Sequence, residues 1–128
     1  MSTIKEEFFK ETYSYLLKMN DKNIPAKKII DDIKLFVEKK GKAITHSQLR
    51  NIYSKILALK DDDITGLQLI RPKLAYVAAR QKNKEAGVLV RFFDEMISEI
   101  NNTDEFKSFK TFMESVVAYH KFYHPDKN

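Results

Sequence analysis

A chain of 128 residues with 43% apolar side chains, nine Phe and six Tyr carries enough bulky apolar area to fold as one domain over residues 1–128, and too much to remain disordered. Its 23 Lys and Arg against 18 Asp and Glu leave a formal charge of +5, which suits an anionic partner without requiring one. The absence of cysteine excludes disulfides, thiol nucleophiles, iron–sulfur clusters and cysteine-ligated zinc, and acids at Glu6 and Glu7 with no long apolar run point to a soluble, cytoplasmic protein.

Apolar residues recur at three- and four-residue spacing almost throughout, and only three Gly and three Pro occur. The chain therefore reads as an all-α, single-domain helical bundle of five or six helices. A first helix is expected over residues 4–19, with Phe8, Tyr15, Leu16 and Met19 inward. Pro25 opens a second, where its missing N–H costs nothing. Ile29, Ile30, Ile33, Phe36 and Val37 form its apolar face, and Gly41 is expected as a left-handed stop. Thr45 and Gln48 make a capping-box pair ahead of a third helix with Leu49, Ile52, Tyr53, Ile56 and Leu57 inward. Residues 61–66 read as a loop. The main fourth helix is expected over residues 71–82, and an earlier start at 67–70 with a kink at Pro72 is the alternative. A fifth follows over residues 85–100, with Leu89, Phe92, Phe93, Met96, Ile97 and Ile100 inward. Asn101 and Asn102 break it, and Thr103 is the expected cap of a sixth, on which Phe106, Phe109, Met113, Val116, His120 and Tyr123 form a seam.

Charge is unevenly spread. Residues 27–60 hold nine Lys and Arg against three acids, and residues 71–91 hold six against one. Asp61-Asp62-Asp63 interrupts them, and residues 92–128 hold seven acids against four bases. A basic middle and an acidic end fit either a positive binding face or solvated decoration.

Few residues suggest catalysis. His120 and His124 share a helix face but lack a third ligand, which favours surface or helix-end histidines over a metal site. The Asp61–Asp63 run has no calcium-loop spacing around it. No nucleophile elbow, phosphate-binding Gly loop or Walker motif occurs, so no enzyme, cofactor or metal is expected. The fourth helix is more informative: Lys73, Tyr76, Arg80 and Lys84 recur at three- and four-residue steps, opposite Leu74 and Ala78. Cations attract phosphates and a ring can stack on a base, so such a stripe can hold a single strand without reading its sequence. The alternative keeps Tyr76 in the core and the charges as solubilising decoration. Arg50 is open to the same two readings.

Three stretches carry a family resemblance: Ile44-Thr-His-Ser-Gln-Leu-Arg50; Leu69-Ile-Arg-Pro-Lys-Leu-Ala-Tyr-Val-Ala-Ala-Arg80; and Phe112-Met-Glu-Ser-Val-Val-Ala-Tyr-His-Lys-Phe-Tyr123. In order and spacing they resemble the small helical subunit of type III-A CRISPR effectors, the Csm complexes. His46 departs from the pattern, standing where a small hydroxyl residue often precedes the Ser-Gln pair. The resemblance implies a non-catalytic subunit of an antiviral ribonucleoprotein, whose copies stack in an inner filament and line the path of the guide RNA and target RNA, beside the other Csm subunits. It further implies that Arg50, Arg71, Lys73, Arg80 and Lys121, which match the family's basic positions, contact RNA phosphates. Lys42 and Lys55 join them on charge and proximity alone. Acids of residues 92–128 are expected to meet a basic surface on the next copy. The rival reading is a basic helical protein-interaction module that binds acidic proteins and no nucleic acid.

Overall fold

The computed structural model describes residues 3–126; Met1, Ser2, Lys127 and Asn128 lie outside them. Among the described residues there are six α-helices and no strand: α1 (Ile4–Phe8), α2 (Ala26–Lys40), α3 (His46–Leu57), α4 (Ile64–Arg80), α5 (Lys84–Ser98) and α6 (Thr103–Tyr123). The all-α reading holds. Short 3-10 turns at Tyr13–Tyr15 and Gly41–Ala43 join the first three helices.

The longest helix, α6, is the axis of the bundle. Phe106, Phe109, Met113, Val116 and His120 are buried as its periodicity predicts, and Phe112 joins them. Against this face pack α2 and α3, while α4 and α5 form an antiparallel pair and α1 rests on α2 and α5. All the buried apolar residues form one contiguous core. At its centre Phe92 stacks on Phe9 (centroids 5.7 Å apart) and meets Phe36 and Phe112 edge-on, an arrangement that adds quadrupole attraction to burial.

Several local readings are corrected. The first helix does not run over residues 4–19. It stops at Phe8, and the chain turns at Phe9; beyond the turn the Thr12 hydroxyl donates to Asp32 of α2 (2.8 Å) and ties the segment to that helix. That turn carries Phe9 wholly into the core. Gly41 is not left-handed, with φ −65° and ψ −24°. It is Gly for space: a Cβ there would lie 3.0 Å from the rings of both His120 and His124. The fourth helix starts at Ile64, not Arg71, and passes through Pro72. Asp63 caps it by accepting the Gly66 N–H (2.8 Å). It ends at Arg80, so Lys84 begins α5 and leaves the expected stripe. Leu57 is half exposed rather than inward.

Caps are otherwise local. Thr45 and Gln48 form the expected reciprocal box, whereas Asn102, not Thr103, caps α6 by accepting the Glu105 N–H. Replacing Asn102 by Ala is expected to cost about 1 kcal/mol, read as a lowered urea midpoint at unchanged slope. An unaltered midpoint would show that this cap contributes nothing.

Candidate nucleic-acid interface

On α4, burial of Leu67, Ile70, Leu74 and Ala78 turns Leu69, Lys73, Tyr76 and Arg80 outward, because residues three and four apart share a face. Tyr76 is 64% exposed, which excludes its core alternative. The Arg80 guanidinium lies 5.4 Å from the Tyr76 ring centroid, a cation–π distance.

Beside this ridge runs a groove between α3 and α4. One cavity of about 100 Å³ is lined by Gln48, Asn51, Lys55, Lys73 and Gln81 over a floor of Ile52, Ile70, Leu74 and Val77. A second, of about 490 Å³, continues it through the shared Gln48, Val77 and Gln81 to Arg80, Lys82 and Asn83. Neither cavity has a carboxylate in its lining. Among the described residues none of Lys55, Lys73, Arg80 and Lys82 pairs with an acid.

The seven cations named from the sequence therefore divide. Lys55, Lys73 and Arg80 converge on the groove. Arg71 does not: its Nε donates to Asp94 of α5 (2.9 Å) and it also reaches Gln68, because it lies on the α4 flank that packs against α5. Arg50 and Lys121 bear on the buried His46 at the α3–α6 contact, away from the groove. Lys42 is exposed next to Gly41, which abuts His120 and His124, so it belongs with that second cluster. Lys82 and the amides Asn51, Gln81 and Asn83 were not singled out from the sequence, and Gln48 was named there only as a cap. Gln48, Asn51 and Lys55 do recur at three- and four-residue steps, a polar stripe that carries little charge to mark it.

The family model described as Csm2 Type III-A matches residues 25–126, which takes in α2 to α6 and all three stretches that carry the resemblance. The chain belongs to the Csm2 family. It is a small subunit of type III-A Csm complexes, with the other Csm subunits as its partners. No curated protein and no solved structure matches it. No helix among the described residues is long and apolar enough to cross a membrane.

In this Csm2-family chain the histidines are structural rather than surface groups. His120 is buried, and its Nε2 donates to the carbonyls of Gly41 (2.8 Å) and Ile44 (3.0 Å). That leaves its Nδ1 to accept from Nδ1 of His46 (3.2 Å). Nε2 of His124 reaches the carbonyls of Val37 and Glu38, so the end of α6 caps the end of α2. Asp126 accepts from the backbone N–H groups of His46 and Ser47 and from the Ser47 hydroxyl, closing the start of α3. These bonds hold the Asp126 carboxyl below its ordinary value.

Burial lowers the affinity of both His46 and His120 for a proton; His120, Lys121 and Arg50 add to this at His46, and the Gly41 and Ile44 carbonyls oppose it at His120. Unfolded, each would titrate near 6.5. Above that pH both states are neutral, and below it the unfolded chain takes up protons first. Stability should thus fall as pH drops below 6.5, and go on falling until the lowered folded values are crossed. Urea midpoints should decline over this range, and His120→Gln should make the decline shallower. A flat profile in the parent chain would contradict the neutral buried pair.

Proposed function

We propose that this chain is a non-catalytic subunit that holds RNA by its phosphate backbone along the α3–α4 groove, stacked with copies of itself in the effector's inner filament. The carrying observation is the convergence of Lys55, Lys73 and Arg80, unpaired with acids among the described residues, on one groove with no carboxylate in its lining. Cations on rigid helices bind backbone charge whatever the base sequence, which a subunit serving any guide requires. Tyr76 beside the groove offers a face on which an unpaired base stacks. Arg50, Lys121 and Lys42 form a second contact near the α3–α6 end, and Arg71 positions α4 on α5 while remaining partly exposed.

Stacking has a physical basis in charge. Glu7 and Glu85, which pair with Lys40 (3.9 and 3.8 Å), rim a cavity of about 550 Å³ between α1, α2 and α5 together with Glu95 and Arg91. Helical spacing places it on the side of α5 away from α4. Of the acids in residues 92–128, Asp94, Glu99, Glu105 and Asp126 are engaged within the chain, so Glu95 is one that remains for a basic surface on the next copy.

Titration of labelled RNA against salt tests the binding. A long strand that arrays several copies should bind far more tightly than a short one, and affinity should fall steeply with salt and vary little with sequence. Absence of RNA binding both by the chain alone and within the assembled complex would favour the rival protein-interaction module. For stacking, reversal of Glu95 to Lys should weaken assembly, and reversal of a facing cation should restore it. If no such pair restores assembly, the stacking surface is wrong.

A further inference from the structure

The groove holds more than phosphate binding needs. Phosphate oxygens only accept hydrogen bonds, so cations suffice for them, yet four carboxamides line the same two cavities: Gln48, Asn51, Gln81 and Asn83. Three of them are held in place by one half of the amide. Gln48 accepts the Thr45 N–H with its Oε1 (3.0 Å), and Asn83 accepts the Glu85 N–H with its Oδ1 (2.9 Å), leaving an NH₂ donor on each. Gln81 donates its Nε2 to the Val77 carbonyl (3.2 Å), leaving its oxygen to accept. The Asn51 side chain makes no hydrogen bond among the described residues and offers both functions. Fixed donors and acceptors are thus interleaved with the cations Lys55, Lys73, Arg80 and Lys82, with no acid among them.

A group that both donates and accepts matches this lining, and the one on a polynucleotide backbone that separates RNA from DNA is the ribose 2′-hydroxyl. We propose that the carboxamides of Asn51 and Gln81, supported by Gln48 and Asn83, recognise ribose 2′-hydroxyls and make the groove selective for RNA over DNA. This rests on the reading of the groove as a backbone-binding site and adds a specificity to it. The cations supply attraction common to both polymers, and the amides discriminate. The pre-fixed half of three amides lowers the ordering cost of each contact.

The test compares long oligouridylate with oligodeoxyuridylate of equal length, bound to the full-length chain at low salt, so that base and charge are the same and only the 2′-hydroxyl differs. The parent should bind the ribo-oligomer roughly three- to tenfold more tightly, the scale of one net hydrogen bond. Asn51→Leu combined with Gln81→Met should lower ribo-oligomer affinity to that of the deoxy-oligomer, leaving deoxy affinity and the salt slope unchanged. Arg80→Ala should weaken both alike. Retained deoxy binding shows that the double variant is folded, and a variant that loses both is repeated with Asn51→Ser alone, which should lose part of the preference. Equal binding of the two oligomers by the parent, or an undiminished preference in the variants, would overturn the hydroxyl recognition while leaving phosphate binding intact. Failure of the parent to bind either would overturn the backbone-binding reading and this inference with it.

Discussion

Reversing Lys73 and Arg80 together to Glu should weaken RNA binding at 0.1 M salt by at least about 25-fold. For a single strand each phosphate contact contributes a slope of about 0.7 to log affinity against log salt, or about fivefold at that concentration. Removing two contacts should therefore make the slope shallower by about 1.4, and the introduced repulsion adds to the loss in affinity. Both residues are exposed on α4 and, among the described residues, unpaired with acids, so the change leaves the fold in place. Arg71→Ala is the informative contrast. Its guanidinium is engaged by Asp94, so its loss should lower stability, within the modest range of partly exposed ion pairs, and change the salt slope less than Lys73→Ala does. If Arg71→Ala instead reduces the slope as much as Lys73→Ala, the ion pair opens on binding and the interface extends toward α5.

Phe9→Ala should be among the most destabilising single substitutions, by about 3–5 kcal/mol. Phe9 has no exposed surface and touches Phe36, Phe92 and Phe112 at centroid distances of 5.4, 5.7 and 6.2 Å. Truncation opens a cavity at the meeting point of α2, α5 and α6. Urea unfolding should show a large fall in midpoint. Phe122→Ala, at a side chain 74% exposed, should stay within about 0.5 kcal/mol of the parent. Equal costs at the two positions would contradict the turn that carries Phe9 inward.

What the sequence made legible follows the range of the interactions concerned. The partners of the capping box, Thr45 and Gln48, are three residues apart, and the burial of Phe106, Phe109, Met113 and Val116 follows from helical period alone. The turn after Phe8 packs through contacts that are remote in sequence: Thr12 bonds Asp32, twenty residues away, and Phe9 meets aromatic partners from three other helices. Gly41 reads as a helix stop in one dimension. Its real reason, the rings of His120 and His124, comes from the far end of the chain. The same holds within the site: Arg71 and Lys73 are near neighbours of like charge, and only Asp94 on α5 tells them apart. Charge drew attention to the cations but not to Gln48, Asn51 and Gln81, whose significance arises where α3 and α4 face each other.

Lysine footprinting of the full-length chain, with and without a long RNA, tests the groove most directly, because acylation reports the accessibility of every amine in one experiment. The account predicts that RNA protects Lys55, Lys73 and Lys82, with weaker protection of Lys42 and Lys121, and leaves Lys5, Lys10 and Lys28 as reactive as before. Protection spread evenly over the surface, or centred on Lys5, Lys10 and Lys28, would contradict it.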